Sequence, residues 1–362
     1  MHAAYIHIPF CKSICTYCDF CKVYYQPTLV SKYLKALEEE ILSQYNNEVL
    51  KTIYIGGGTP SSLSLDHLNY LFIILKVFKK SRNCEVTFEC NIEDITEEKL
   101  HLLKENGVNR LSIGIESFNK KNLETMQRHA DFKDAKEKIK LCRRLGFSNI
   151  NVDLIYALPK ESMWTLRRDI HKILKLEVEH ISTYSLILEK NTILYNQGVK
   201  NIKEEKDAKM YDYIVKTLKK NGYHHYEVSN FAKSGYESLH NKTYWYNEEY
   251  YGFGCGASGY IGNIRYENTR SILKYIAGNY TLNRNLLSKQ EEMDNEIMLG
   301  LRLLEGLDTK KFLKKYKVSI EEAYPNIKNL LKEGLLILDD NYLKIPEKYI
   351  YIMDSIVLKI VS

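Results

Sequence analysis

The sequence predicts an α/β protein, a partial (β/α)6 barrel followed by a helical, winged-helix-like domain, and three observations carry that expectation. Apolar runs of strand length alternate with stretches of helical period over the first half of the chain. Polar residues and glycines recur where those runs end. Past Ser288 the alternation gives way to helices and one hairpin signal.

Taken in order, strands are expected over residues 4–8, 52–55, 85–90, 110–115, 150–155 and 180–187. Helical periodicity separates them over 29–45, 65–79, 96–104, 132–145 and 163–176. The mean unit of about 31 residues resembles that of (β/α) barrels, where roughly 250 residues make eight units. Six fit here, so the barrel is partial. An amphipathic helix over 204–220 comes next, then an aromatic-rich segment over 223–266 containing the glycine-rich stretch 252–258. Helices are expected over 290–304, 309–316 and 320–333, and strands over 335–338 and 342–345 flank Asp339-Asp340-Asn341, a hairpin signal. The domain reading is therefore 1–231 for the barrel, 232–285 for the aromatic and glycine-rich segment, and 286–362 for the last domain.

At 362 residues, with 44% hydrophobic and 27% charged positions, the composition is that of an ordinary globular protein. The longest apolar run, near residues 71–75, is far below membrane-spanning length, so no transmembrane helix is expected. The chain opens with neither a basic segment nor an apolar core of signal type, which predicts a cytoplasmic protein with reduced thiols. Four of its eight cysteines, Cys84, Cys90, Cys142 and Cys255, stand in apolar surroundings and are expected in the core. The net charge of +6 is spread along the chain, with lysine-rich faces such as 133–144 alternating with acidic residues, which reads as solvated surface and predicts no nucleic-acid partner.

Chemistry is concentrated near the start. Cys11, Cys15 and Cys18, spaced C-x3-C-x2-C on the loop after the first strand, can converge on one metal centre without help from distant chain. A cubane iron cluster wants four ligands, usually cysteines, so three leave one iron open for a further ligand. A zinc site would take a fourth cysteine or histidine, which Cys21 could supply. In a barrel, function sits at the C-terminal ends of the strands. There the chain places Gly56-Gly57-Gly58-Thr59-Pro60, which suits close approach of a ligand to backbone or a plain tight turn. Glu89 closes one strand and Asp153 lies in another. A carboxylate among apolar neighbours needs a partner, either ligand hydroxyl or ammonium groups or a salt bridge within the protein.

These residues carry a resemblance. Tyr5-Ile6-His7-Ile8-Pro9-Phe10-Cys11, the three-cysteine motif, the glycine run, Arg110-Leu111-Ser112-Ile113-Gly114 and Asp153-Leu154-Ile155-Tyr156 are similar to motifs of the radical S-adenosylmethionine (SAM) superfamily. With Tyr226-Glu227-Val228-Ser229-Asn230-Phe231 and His240-Asn241-Lys242-Thr243-Tyr244-Trp245, the chain most resembles the oxygen-independent coproporphyrinogen III oxidase group, and within it a heme chaperone branch. The resemblance implies a [4Fe-4S] cluster on Cys11, Cys15 and Cys18, whose open iron chelates SAM, so that one electron cleaves it to a 5′-deoxyadenosyl radical. It also implies that Tyr5, Tyr17, Gly57, Gly58, Thr59, Glu89, Glu116, Arg128 and Asp153 line the SAM site.

Three departures stand out. Glu116 replaces a common glutamine, Met126-Gln127-Arg128 replaces Leu-Gly-Arg, and Phe20 stands where the coproporphyrinogen-oxidising branch has an extra cysteine. That branch also carries several tens of residues before its cluster motif. From the residues alone His240 is a core histidine or an axial heme ligand flanked by aromatic rings. The resemblance favours the ligand. It implies a chaperone that carries heme to an acceptor such as a respiratory hemoprotein, with an electron donor wherever SAM is cleaved. Coproporphyrinogen dehydrogenase activity is not expected.

Overall fold

In the computed structural model, which describes residues 2–362, six strands pair in parallel in chain order: β1 (His2–Ile8), β2 (Leu50–Gly57), β3 (Lys80–Asn91), β4 (Arg110–Glu116), β5 (Ile150–Tyr156) and β6 (His180–Ser185). Between them run α1 (Pro27–Gln44), α2 (Leu65–Leu75), α3 (Glu97–Glu105), α4 (Lys120–Met126), α5 (Phe132–Arg144) and α6 (Met163–Leu174). Each helix buries one stripe. On α1 the buried positions Val30, Tyr33, Leu34, Leu37 and Ile41 recur at helical spacing. Ser64, Thr96 and Ser162 cap α2, α3 and α6 by accepting a backbone N–H, which fixes where each helix leaves its strand-end loop.

The parallel sheet is larger than the expected six strands. Strand β7 (His224–Glu227) pairs with β8 (Asn230–Ala232), and β8 joins β6 antiparallel. After α7 (Glu204–Lys220) and α8 (Leu239–Trp245), β9 (Tyr250–Phe253) returns to the opposite edge and adds to β1 as a seventh parallel strand. Strands β10 (Ser258–Ile261), β11 (Ile264–Asn268) and β12 (Thr281–Leu286) extend that edge antiparallel, so twelve strands form one sheet. The glycine-rich stretch is thus part strand. A Cβ on Gly252 would meet the Ser258 carbonyl oxygen at 1.9 Å, so β9 and β10 pack too closely for any side chain there.

Two boundaries differ from the sequence reading for local reasons. The helix expected to reach residue 79 ends at Leu75, because β3 already begins at Lys80. The helix expected over 320–333 breaks into Ile320–Ala323 and Ile327–Lys332 around Pro325, which cannot donate a backbone hydrogen bond. The end of the chain holds Lys289–Gly300, Thr309–Tyr316, the hairpin Ile337–Asp339 with Tyr342–Lys344, and a last helix, Met353–Val361, that the sequence reading did not anticipate. Leu307–Asp308 adds a third strand to the hairpin. Among the described residues no helix is long and apolar enough to cross a membrane.

One buried carboxyl ties α1 to the β9–β12 extension. Glu40 accepts the Gly254 N–H at 2.8 Å, the Asn268 amide at 2.6 Å and the Tyr275 hydroxyl. Burial pushes its pKa up to about 7, against the pull of these donors. Glu40→Gln would turn an amide NH2 toward groups that are themselves donors. It should destabilise the protein by about 1–3 kcal/mol, read as a lower urea midpoint at neutral pH. An unchanged midpoint would show that the carboxyl is dispensable.

Candidate functional site

The cysteine loop is held at both ends before any ligand is considered. Phe10–Cys11 pairs in parallel with Val23–Tyr24, and the Tyr25 N–H donates to the Cys11 carbonyl at 2.8 Å. From the next strand end, the Gly58 and Thr59 N–H groups donate to Ile8 and Phe10 carbonyls, each at 2.9 Å. Midway, Thr16 donates from its backbone to Met126 and from its hydroxyl to Thr125. Cys11, Cys15 and Cys18 thereby face one pocket of about 350 Å³ at the C-terminal end of the parallel strands. All three thiols are free, and burial pushes the Cys15 thiol up to about 11. Iron would have to displace those protons.

Cys21 does not join them. Its Sγ lies 3.5 Å from Cys255 Sγ, and its carbonyl accepts from His7 Nε2 at 2.8 Å, in the wall behind the loop. That removes the fourth ligand a zinc site would need. Among the described residues no three histidine, cysteine or acidic side chains group tightly enough for a single metal ion.

Buried charge fills the rest of the pocket. Arg128 sits 3.5 Å from Glu116 and donates to the Gly114 carbonyl at 2.9 Å, while the Tyr17 hydroxyl donates to Glu116 at 3.1 Å. Burial raises Glu116 to about 7, opposed by Arg128. Glu116 Oε2 and Arg128 Nε have no partner although both are buried. Such orphaned groups are costly unless a ligand engages them, and an amino acid moiety carries matching charges. Gln127 ends α4 with a left-handed φ of 53°, a conformation that costs a residue with a side chain, and so turns the chain into Arg128. Asp153 accepts from Asn151 at 2.8 Å, and burial raises its pKa. Glu89 Oε2 accepts the Gly57 N–H at 3.0 Å and Oε1 the Tyr54 hydroxyl at 2.7 Å, with its pKa raised to about 7 by burial.

A second cavity of about 510 Å³ adjoins the first, sharing Phe20, Tyr54, Gly57, Glu89 and Asn241 as a common wall. Here lie two residues that the sequence reading assigned elsewhere or left open. Tyr5 lines this second cavity rather than the cysteine pocket, its hydroxyl bonded to His7 Nδ1 at 2.9 Å. His240, on α8, is 1% exposed with both ring nitrogens engaged: Nδ1 with Thr52 Oγ1 at 2.8 Å and Nε2 with the Tyr244 hydroxyl at 2.7 Å. Burial holds it neutral, its pKa lowered to about 3.

Of the residues proposed from sequence, Tyr17, Gly57, Gly58, Thr59, Glu89, Glu116, Arg128 and Asp153 join the three cysteines in the first pocket. Sequence reasoning missed Arg110, Ser112, Asn151, Ser182 and Tyr184, which line it from β4, β5 and β6. Their signal was the period of two: in β4, Arg110, Ser112 and Gly114 alternate with the buried Leu111, Ile113 and Ile115. Arg110 is 2% exposed, and its Nε is unpartnered.

A partial parallel barrel with three loop thiols and buried charges at its open end defines a radical SAM protein. Residues 5–173 match the family model described as the Radical SAM superfamily, and residues 287–348 match that of the HemN C-terminal domain. The chain is similar to the heme chaperone HemW of Lactococcus lactis subsp. lactis (strain IL1403), 41% identical over 359 residues covering 96% of this chain and 94% of that protein. It is likewise 42% identical over 351 residues to the heme chaperone HemW of Bacillus subtilis (strain 168), covering 93% of each. The chain belongs to the HemW family. Coproporphyrinogen III oxidase (HemN) from Escherichia coli, a radical SAM enzyme, has the same fold, with a TM-score of 0.88 at 21% identity over 100% of this chain and 90% of that one.

Two outcomes follow from the geometry. Anaerobically reconstituted Cys11→Ser, Cys15→Ser and Cys18→Ser proteins should each lose the thiolate-to-iron absorbance, whereas Cys21→Ser should keep it. Loss in Cys21→Ser as complete as in the others would restore a four-cysteine site. The second concerns Gly58. A Cβ there would stand 2.8 Å from the Pro9 carbonyl carbon and 3.0 Å from Cys11 Sγ, so this glycine packs against the cysteine loop as well as lining the pocket. Gly58→Val should therefore lower iron content together with SAM affinity, by iron assay and calorimetry. Full iron content with weakened SAM binding would confine the glycine to ligand contact.

Proposed function

We propose that this chain is a heme chaperone that binds heme, passes it to an acceptor protein in the cytoplasm, and carries a SAM-binding [4Fe-4S] cluster. The observation that carries the reading is the second cavity, which shares a wall with the cysteine pocket and includes His240, Asn241 and Tyr244 of the motif on α8. Membership in a family whose named relatives are heme chaperones supports it. About 510 Å³ falls in the usual range for small-molecule sites, and its aromatic lining suits a flat apolar ring system.

Cys11, Cys15 and Cys18 would hold the cluster, and Glu116, Arg128, Asp153 and the backbone at Gly57 to Thr59 would hold SAM. When bound, the cluster supplies an open iron for SAM and a source of single electrons. The chain's own part is positioning. Arg128 and Glu116 present opposite charges side by side for an amino acid moiety, and Glu89 fixes the glycine turn by accepting the Gly57 N–H. Lys22 lies at the rim and donates to the Cys18 carbonyl, which orders the end of the loop. An electron donor is required wherever SAM is cleaved, and the acceptor of heme is a separate protein, of which a respiratory hemoprotein is one class.

The test is anaerobic reconstitution followed by parallel assays of heme binding and coproporphyrinogen III decarboxylation. Stoichiometric heme binding without decarboxylation is expected. Release of CO2 with formation of protoporphyrinogen IX would overturn the reading in favour of an oxygen-independent coproporphyrinogen III dehydrogenase.

A further inference from the structure

The second cavity contains two tyrosine–histidine pairs. In one, the Tyr5 hydroxyl meets His7 Nδ1 at 2.9 Å and His7 Nε2 meets the Cys21 carbonyl at 2.8 Å. In the other, the Tyr244 hydroxyl meets His240 Nε2 at 2.7 Å and His240 Nδ1 meets Thr52 Oγ1 at 2.8 Å. Neither imidazole has a lone pair free for a metal, since each ring is held at both nitrogens. His240 is locked further by its backbone N–H on Glu85 at 3.0 Å and by its ring against Tyr54, 5.1 Å between centroids. Both rings and both phenols line the cavity, and the phenol oxygens are the ones that keep lone pairs to offer.

The two pairs differ in one chemical respect. A carbonyl only accepts, so His7 keeps its proton on Nε2 and Nδ1 can only accept from Tyr5. Were Tyr5 to lose its proton, the neutral ring could not donate back. A threonine hydroxyl both donates and accepts. His240 can therefore carry its proton on Nδ1 toward Thr52, or on Nε2 toward Tyr244 while Thr52 turns to donate to Nδ1.

We propose, resting on the heme reading above, that Tyr244 supplies the oxygen that binds ferric heme iron in this cavity, with His240 as the positioning residue behind it. Phenolate is an established class of axial heme ligand. On binding, the Tyr244 O–H bond breaks and an O–Fe bond forms. The imidazole ends neutral with its proton on Nε2, donating to the phenolate oxygen, and one proton leaves to solvent. No oxidation state changes. Tyr244 is set for this by its ring contacts, edge-on to Tyr250 at 4.6 Å and to His240 at 4.9 Å. Arg270, which also lines the cavity, is more than half exposed; it donates to the Asp19 carbonyl and lies 3.8 Å from the Asp19 carboxylate, and its remaining N–H groups can meet a heme carboxylate.

Ferric heme is added to the cluster-loaded wild type and to Tyr244→Phe, Tyr5→Phe and His240→Gln, and each is read by absorbance and by resonance Raman for phenolate vibrations. Wild type and Tyr5→Phe should show the phenolate signature. Tyr244→Phe should lose it and bind at least tenfold more weakly, on the order of 1.4 kcal/mol, with unchanged iron–sulfur content. His240→Gln should keep the signature with its frequency moved. An imidazole-type spectrum that survives in Tyr244→Phe and vanishes in His240→Gln would overturn the proposal and make His240 the ligand. Loss of the signature in Tyr5→Phe would overturn it in favour of the other pair. A folded wild type that takes up no ferric heme at all would instead refute the heme reading itself.

Discussion

Glu89 is the constraint on which both cavities depend. One carboxyl oxygen holds the Gly57 N–H and so the turn that carries Gly58 and Thr59 over the cysteine loop. The other holds the Tyr54 hydroxyl, and the Tyr54 ring lies against His240 in the adjoining cavity. At Gly56 no side chain fits beside Glu89: a Cβ there would stand 2.7 Å from the Glu89 carboxyl carbon. The price is a carboxyl buried near Asp153 and Glu116, each of which raises its pKa. Arg110 from β4 and Arg128 from the loop after α4 offset the charge of Asp153, and Arg128 that of Glu116.

Much of the fold was legible because the first six strands are separated by amphipathic helices of ordinary length, most of them capped. Their alternation needs no long-range information. The seventh parallel strand was not legible, because Tyr250–Phe253 contains a glycine and its partner is a strand more than two hundred residues earlier in the chain. The glycines at 252, 254 and 256 read equally as loop or strand until the neighbours they accommodate are known, here Ser258, Tyr33 and Cys21. The split of the helix near Pro325 could have been read from the proline.

The candidate site was legible where function is written as spacing and obscure where it is written as facing. Three cysteines close in sequence must share a loop, and a glycine run after a strand must turn. Arg110, Asn151 and Ser182 were not assigned to the site because their strands read as apolar runs; only the pleat puts these polar residues on the pocket side. Tyr5, expected beside the cysteines, lines the second cavity, and the sequence could not show this for a related reason. Motif order along β1 does not say on which side of Glu89 a residue falls. His240 shows the limit from the other direction: a residue type can suggest a metal ligand, but the two hydrogen bonds that occupy its nitrogens come from β2 and from four residues along its own helix.

The pairing of β1 with β9 also orders events during synthesis. Strand β1 is flanked by β2 on one side and by Tyr250–Phe253 on the other, so one of its edges stays open until most of the chain has left the ribosome. The cysteine loop begins where that strand ends. Its far end, at Cys21, meets Cys255 and Arg270 only when the same late segment arrives. A contact between positions so far apart closes slowly compared with the local βα units. Cys21, at the far end of the loop, is thus among the first residues made and among the last enclosed, which leaves a long interval in which its thiol is open to oxidation.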